Sequence, residues 1–178
     1  MTQSNLETIV IIGIFISTIT MFYAMTLSIK HFVTFRKLPR WFNKMRKNGD
    51  GKEFEDFLKK LFEACGWHVK NPTSSVNSPD FGVDMILDGK IAVQAKHYKD
   101  NVGNDAIMAV FAGMNYWKKN GFPHLRRAAV VTSSHFTASA KKQAKDIGVL
   151  LKDEDDIREI LKSGPRKNWI TKQRSGAW

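Results

Sequence analysis

The stretch from Thr8 to Ile29 constrains this chain more than any other: 22 consecutive residues carry no charge and are rich in Ile, Phe, Met and Val. At about 1.5 Å per residue, such a helix reaches across a hydrocarbon layer of about 30 Å. Its Thr, Ser and Gly residues are tolerable there, because helix hydroxyls bond back to the backbone. A buried core helix is the bland alternative, but the run is long and apolar on every face, which helices of soluble proteins rarely are. A cleaved leader needs a basic start and a small-residue cleavage site. Here Glu7 is the only charged side chain before the run, and no A-x-A ending follows it. The run predicts a retained transmembrane helix over 8–29, with residues 1–7 as a short extracytoplasmic N-terminus.

Charge gives that helix a direction. The chain has a net charge of +11. Lys30 to Lys47 holds seven Lys/Arg and no acids, and Lys162 to Trp178 holds five and no acids. Asp50 to Leu161 balances 16 basic against 16 acidic residues. The excess therefore sits in the two flanks. A basic total usually points to phosphate partners, but a cationic flank just after an apolar run has a second meaning. It predicts that the C-terminal side is cytoplasmic. Phe32, Phe35, Trp41 and Phe42 are interleaved with the cations. That mixture suits a headgroup interface, so residues 30–50 read as a basic juxtamembrane linker and the lipid bilayer as a partner. The single cysteine, Cys65, forbids an internal disulfide, which fits a reducing compartment.

Asn48-Gly-Asp-Gly51 marks a domain boundary. Beyond it, residues 51–161 predict one α/β domain. Phe54, Phe57, Leu58, Leu61 and Phe62 recur at helical spacing over 52–65. Trp67 to Lys70 is a short strand. Residues 82–88 and 91–96 read as two strands around the hairpin signal Asp88-Gly89. Helix 102–119, strand 128–132, a helix capped by Thr137 and ending at Ile147, strand 148–151 and helix 153–161 follow. Helices alternating with strands imply a central sheet flanked by helices. Residues 162–178 form a basic, Gly- and Pro-containing tail with the composition of a poorly ordered segment.

The residues suited to chemistry lie around the hairpin. Alternation places Val83, Met85 and Leu87 on one face of the first strand, and Asp84 and Ile86 on the other. Gln94 and Lys96 are two apart and share a face of the next strand. The hairpin then brings Asp84, Gln94 and Lys96 towards one end of the sheet. A carboxylate and an amide oxygen suit a hard cation that keeps several waters. Such an ion polarises a phosphodiester and lowers the pKa of an attacking water. A lysine beside it can stabilise charge on the phosphate.

In this chain Gly51-Lys-Glu-Phe-Glu55 opens a helix, Asp80-Phe-Gly-Val-Asp84 enters a strand, and Gln94-Ala-Lys96 lies on the next. Val102-Gly-Asn104 and Val131-Thr-Ser-Ser-His-Phe-Thr137 follow. In order and spacing these resemble the Mrr branch of the PD-(D/E)xK nucleases, from about Gly51 to Leu161. The resemblance implies a restriction-endonuclease-like core with a mixed sheet, and a Mg²⁺- or Mn²⁺-dependent endonuclease acting on DNA. It implies Asp84 as principal metal ligand, Gln94 as a second, Lys96 as catalytic lysine and Glu55 as a contributor from the first helix. Asp80 matches the first acid of the motif, with its role open. Gln94 supplies a neutral oxygen where the wider superfamily has a carboxylate, which weakens metal binding. Helical geometry alone does not choose Glu55, since Glu53 and Glu55 flank opposite edges of the apolar face. The family is bacterial and phage-associated. With the anchor, it implies a single-pass protein of the inner membrane that defends against foreign or modified DNA. A homo-oligomer is compatible with it.

Blander readings stand beside this one. Asp80 and Asp84 fit turn and strand-edge acids, and Lys96 fits a lysine snorkelling at a strand end. His68, His97, His124 and His135 do not form a zinc pattern, and they read as surface or near-site residues. Two other functions are therefore carried forward: an inactive nuclease-fold module that grips DNA or a partner protein, and a membrane protein whose basic flank binds lipid.

Overall fold

The computed structural model describes residues 3–73 and 79–172, without the side chains of residues 3–10, 28 and 30–32. Among the described residues, five helices and five strands are α1 (Gln3–Asn48), α2 (Gly51–Ala64), β1 (Val69–Lys70), β2 (Met85–Leu87), β3 (Ile91–Lys96), α3 (Asn104–Lys119), β4 (Arg127–Thr132), α4 (Ala138–Ile147), β5 (Leu150–Lys152) and α5 (Glu154–Ser163). A 3-10 turn at Lys167–Trp169 follows.

The sheet runs β1-β2-β3-β4-β5. β1, β2 and β3 pair antiparallel, while β3, β4 and β5 pair parallel. It is thus a mixed sheet flanked by helices, as the family resemblance implies. The turn between β2 and β3 is set by Asp88 (φ 48°) and Gly89 (φ 68°). Two positive φ values in succession make the tight hairpin that the Asp-Gly pair signals. Each parallel step needs a helical crossover, and α3 and α4 supply them on one face. That layer buries Ile86, Ala92, Ile107, Val110, Val130 and Ala140. On the other face, α1, α2 and α5 bury Phe42, Phe57, Leu61, Val93, Val131 and Ile157. Alternate residues of β3 and β4 enter opposite layers, as the pleat demands.

Two expectations are corrected here. The basic linker expected over residues 30–50 is instead helical as far as Asn48. α1 continues unbroken from Gln3 to Asn48, with Pro39 inside it. Phe35, Leu38, Phe42 and Met45 are buried against the domain. They recur at helical spacing, and α2 offers a matching apolar face, so burial prevails over a headgroup position. Phe42 meets Phe57 at 5.2 Å between ring centroids, and the Trp41 indole N–H donates to Glu53 at 2.9 Å. Arg46 pairs with Glu154 of α5.

The C-terminal segment is packed as far as Lys172. Trp169 and Ile170 join the α1/α2/α5 core. The Trp169 indole donates to the Asp156 carbonyl at 3.1 Å, and buried Lys152 donates to the Lys172 carbonyl at 2.6 Å. Residues 173–178 lie outside the described residues.

Among the described residues, no helix is long and apolar enough to cross a membrane. The span expected over 8–29 therefore has no counterpart there, and the side chains of residues 8–10 and 28 lie outside the description. The apolar side chains described between Ile11 and Ile29, such as Ile11, Phe15 and Phe22, are exposed. A cavity of about 510 Å³ beside the end of α2 touches Leu27 and Thr34 of α1 together with Ala64 and Trp67.

Smaller shifts have local causes. The helix expected at 102 starts at Asn104, because Val102 bridges Phe136 in parallel register. β2 starts at Met85, because residues 81–84 form a turn and its exit. Alternation therefore fails before Met85, and Val83 packs with Ile86 in the α3 layer instead of joining Met85 and Leu87.

Candidate active site

The C-terminal ends of β3, β4 and β5 lie at one edge of the sheet, because these strands are parallel. β2 is antiparallel to β3, so its start reaches the same edge. Topology thus brings Asp84, Lys96, the loop after Thr132 and Asp153 to one side. α2 adds its first turns there, with Asp50 capping the helix by accepting from the Glu53 N–H at 2.8 Å.

Asp84 is the centre of this edge. Its N–H donates to the Val93 carbonyl at 2.9 Å. Its Oδ2 accepts from the Ala95 N–H at 2.6 Å. Burial raises its carboxyl from 3.8 to about 6, and Glu55 and Asp80 add to the rise by repulsion. The Ala95 hydrogen bond and the Lys96 charge pull the other way. A carboxylate taken from water beside two like charges is costly until a cation arrives.

Glu55 and Asp84 line one small cavity of about 90 Å³, with Lys52, Asp56 and Lys59 at its walls. Lys52 bridges Glu55 at 3.3 Å and Asp56 at 3.4 Å. Glu53, which helical geometry leaves as an alternative, instead holds Trp41. Tertiary packing thus distinguishes the two acids that periodicity could not.

Gln94 and Lys96 form a second pair. Gln94 is buried. With its amide oriented as its neighbours require, Nε2 donates to the Ala106 carbonyl at 2.9 Å and Oε1 accepts from Lys96 Nζ at 3.2 Å. Lys96 also lies 5.8 Å from the centre of the Tyr98 ring. Because Ala95 sits between them, its bond to Asp84 ties this pair to the carboxylate. Asp80 is spent locally, since its Oδ1 accepts from the Gly82 N–H at 2.9 Å.

The donor set fits a divalent ion. Mg²⁺ binds through one or two carboxylates and keeps its waters, and two carboxylates share this cavity. The acids around Asp84 do not draw as close together as another group does. Among the described residues, ligand atoms of His135, Asp153 and Asp155 all lie within 4.8 Å of one another. Sequence spacing did not single out this group, because it joins the loop after β4 to the start of α5. Asp153 is the N-cap of α5 and accepts from the Asp156 N–H at 3.1 Å, so its carboxylate already has a structural task. His97, next to Lys96, bonds Ser133 Oγ at 2.6 Å through Nδ1 and lies against Phe54.

A mixed five-stranded sheet flanked by helices fits a nuclease-like core. A restriction endonuclease family model, that of the Mrr catalytic domain, matches residues 46–161. The chain belongs to that family. No curated protein matches the chain. The crystal structure of AF1548, a protein of unknown function, is similar at 19% identity and TM-score 0.46, covering 56% of this chain and 55% of its own. This chain thus spans about half of that one.

Proposed function

We propose that the chain is a metal-dependent endodeoxyribonuclease, with Asp84 and Glu55 holding Mg²⁺ or Mn²⁺ and Gln94 holding Lys96. The observation that carries this reading is the Asp84–Ala95 hydrogen bond at 2.6 Å, which fixes the carboxylate against the strand bearing Gln94 and Lys96. When bound, the ion would polarise the phosphodiester and acidify an attacking water. Lys96 is oriented by Gln94 and supplies positive charge where the phosphate gains negative charge. Asp84 must be ionised to act, which its elevated carboxyl makes dependent on pH and on the cation. Asp80 holds the turn that delivers Asp84.

A finer reading places this enzyme at the inner membrane, single-pass, with the domain cytoplasmic and its target foreign or modified DNA. Its supports are the uncharged run 8–29 and the exposed apolar side chains from Ile11 to Ile29. α1 leaves the domain past the end of α2, whereas Glu55 is near the start of α2. The catalytic edge would therefore face away from the lipid.

A second reading is an inactive module that binds DNA or a partner protein. The neutral Gln94, with its oxygen turned to Lys96, favours it. The deciding experiment incubates the full chain in mild detergent with supercoiled DNA and Mg²⁺ or Mn²⁺, beside Asp84→Asn and Lys96→Ala. Metal-dependent cutting lost in both variants is expected. Cutting that survives both would sink the assignment, and DNA binding without cutting would favour the module. Carbonate-resistant sedimentation with cell membranes tests the anchor, and release by carbonate would overturn it.

A further inference from the structure

Phe81 is placed where folding alone gives no reason for it. It has φ 52°, a left-handed conformation that is strained for a side chain of its size. Phe81 is 44% exposed, so burial offsets that strain only in part. Glycine would occupy the position at lower cost.

The backbone around Phe81 is nevertheless locked. Asp80 Oδ1 accepts from the Gly82 N–H, and the Asp80 carbonyl accepts from the Val83 N–H at 3.1 Å and the Trp117 indole at 2.8 Å. The turn also lies hard on α3. A Cβ added at Gly113 would land on the Phe81 carbonyl, and one added at Gly82 would come within 3.0 Å of the Ala109 backbone. The Phe81 ring is thus held rigidly outward. It stacks on Tyr116 with centroids 4.0 Å apart and planes at 30°, and Tyr116 is itself 39% exposed. Trp117 supports both edge-on, at 6.2 Å and 5.2 Å. This aromatic surface is three residues along the chain from Asp84, whose carboxyl feels the charge of neighbouring Asp80.

We propose that Phe81 and Tyr116 form a stacking platform for an unstacked nucleobase, so that the site prefers DNA with an unpaired or everted base beside the cut. An exposed aromatic face three residues along the chain from the proposed metal ligand has one obvious complement in a DNA substrate, the π-face of a base, and every base offers one once it leaves the helix stack. A paired base in duplex cannot reach it without that cost. The inference rests on the nuclease reading only for the identity of DNA as ligand.

The test uses the full chain carrying Asp84→Asn, so that no substrate is cut. Its binding is measured by fluorescence anisotropy to three labelled DNAs: a single strand, a duplex with one mismatch, and a fully paired duplex. Tighter binding to the first two is expected. Adding Phe81→Ala or Tyr116→Ala should weaken those two by roughly 5- to 150-fold and leave the paired duplex within about twofold. Phe81→Trp and Tyr116→Phe should bind as the parent does. Phe81→Leu, apolar but without a π-face, should behave like Phe81→Ala. Equal binding by Phe81→Leu and the parent, equal losses on all three DNAs, or no binding to any of them would overturn the platform. Failure of the nuclease reading shows separately, as absence of cleavage by the unsubstituted chain.

Discussion

Asp84 and Ala95 are joined by a 2.6 Å hydrogen bond from the Ala95 N–H to the Asp84 carboxylate. One bond thereby couples the entry of β2 to the segment of β3 between Gln94 and Lys96. It holds a buried acid in place while burial and two neighbouring acids push its carboxyl to about 6.

The first expected outcome concerns stability and pH. The folded state raises the Asp84 carboxyl from 3.8 to about 6, so it retains a proton that the unfolded chain releases between those values. Stability therefore falls as pH rises through that window, and the cost is fully present above about 6. Asp84→Asn removes the cost while abolishing cleavage. Thermal denaturation in EDTA at pH 7.5 should show a gain of about 1–3 kcal/mol, shrinking towards zero near pH 4. A variant less stable than the parent at pH 7.5 would contradict this.

Glu55 and Glu53 should separate in kinetics. Glu55 shares the cavity with Asp84, whereas Glu53 holds Trp41. Glu55→Gln and Lys96→Ala should each lower the cleavage rate by about 10²–10³-fold. Glu53→Gln should cut within a few fold of the parent and lose up to about 1 kcal/mol of stability. Initial rates on supercoiled DNA at saturating Mg²⁺ decide it, and the reverse ranking would exchange the roles of the two acids.

The C-terminal half of α1 should prove to be part of the domain. Phe42 is fully buried against Phe57. Phe42→Ala should cost about 3–5 kcal/mol. A chain beginning at Gly51 should expose the Phe54/Phe57/Leu61 face and aggregate, whereas one beginning at Val33 should stay folded and monodisperse. Size-exclusion chromatography with circular dichroism distinguishes them.

Gly113→Ala should disturb the site from a distance. Its methyl group would meet the Phe81 carbonyl and come within 2.8 Å of Val83 Cγ2. The turn carrying Asp80 to Asp84 must shift, at about 1–3 kcal/mol. Denaturant unfolding should register that loss, and cleavage should fall by at least tenfold although Gly113 is not a ligand.

Buried Lys152 should act as the clasp of the C-terminal segment. It pairs with Asp156 at 3.6 Å and donates to the Lys172 carbonyl. Lys152→Met removes one partner of a buried pair, at roughly 3–5 kcal/mol. Limited trypsin digestion should then cut early at Lys167 and Lys172, and unchanged protection would show that Trp169 alone holds the segment.

Much of this protein was legible in the sequence because the relevant signals are local. The apolar period of α2, the Asp88-Gly89 turn, the Thr137 cap and the two-residue spacing of Gln94 and Lys96 each depend on neighbours a few residues away. The alternation of helices and strands then specified an α/β sheet. The family motifs added named candidates, Glu55, Asp84, Gln94 and Lys96.

What only the tertiary structure decided depends on partners distant in the chain. Phe35, Leu38, Phe42 and Met45 carried a helical stripe all along, but the cations between them suggested a lipid surface. Only the facing side of α2 turns that stripe into core. The same packing gave Glu53 to Trp41 and left Glu55 beside Asp84. It also moved Val83 to the other layer and pressed a strained Phe81 outward against Tyr116. Periodicity fixes which side of an element is apolar, whereas the choice of what that side meets is made by chain topology and by the free energy of burial.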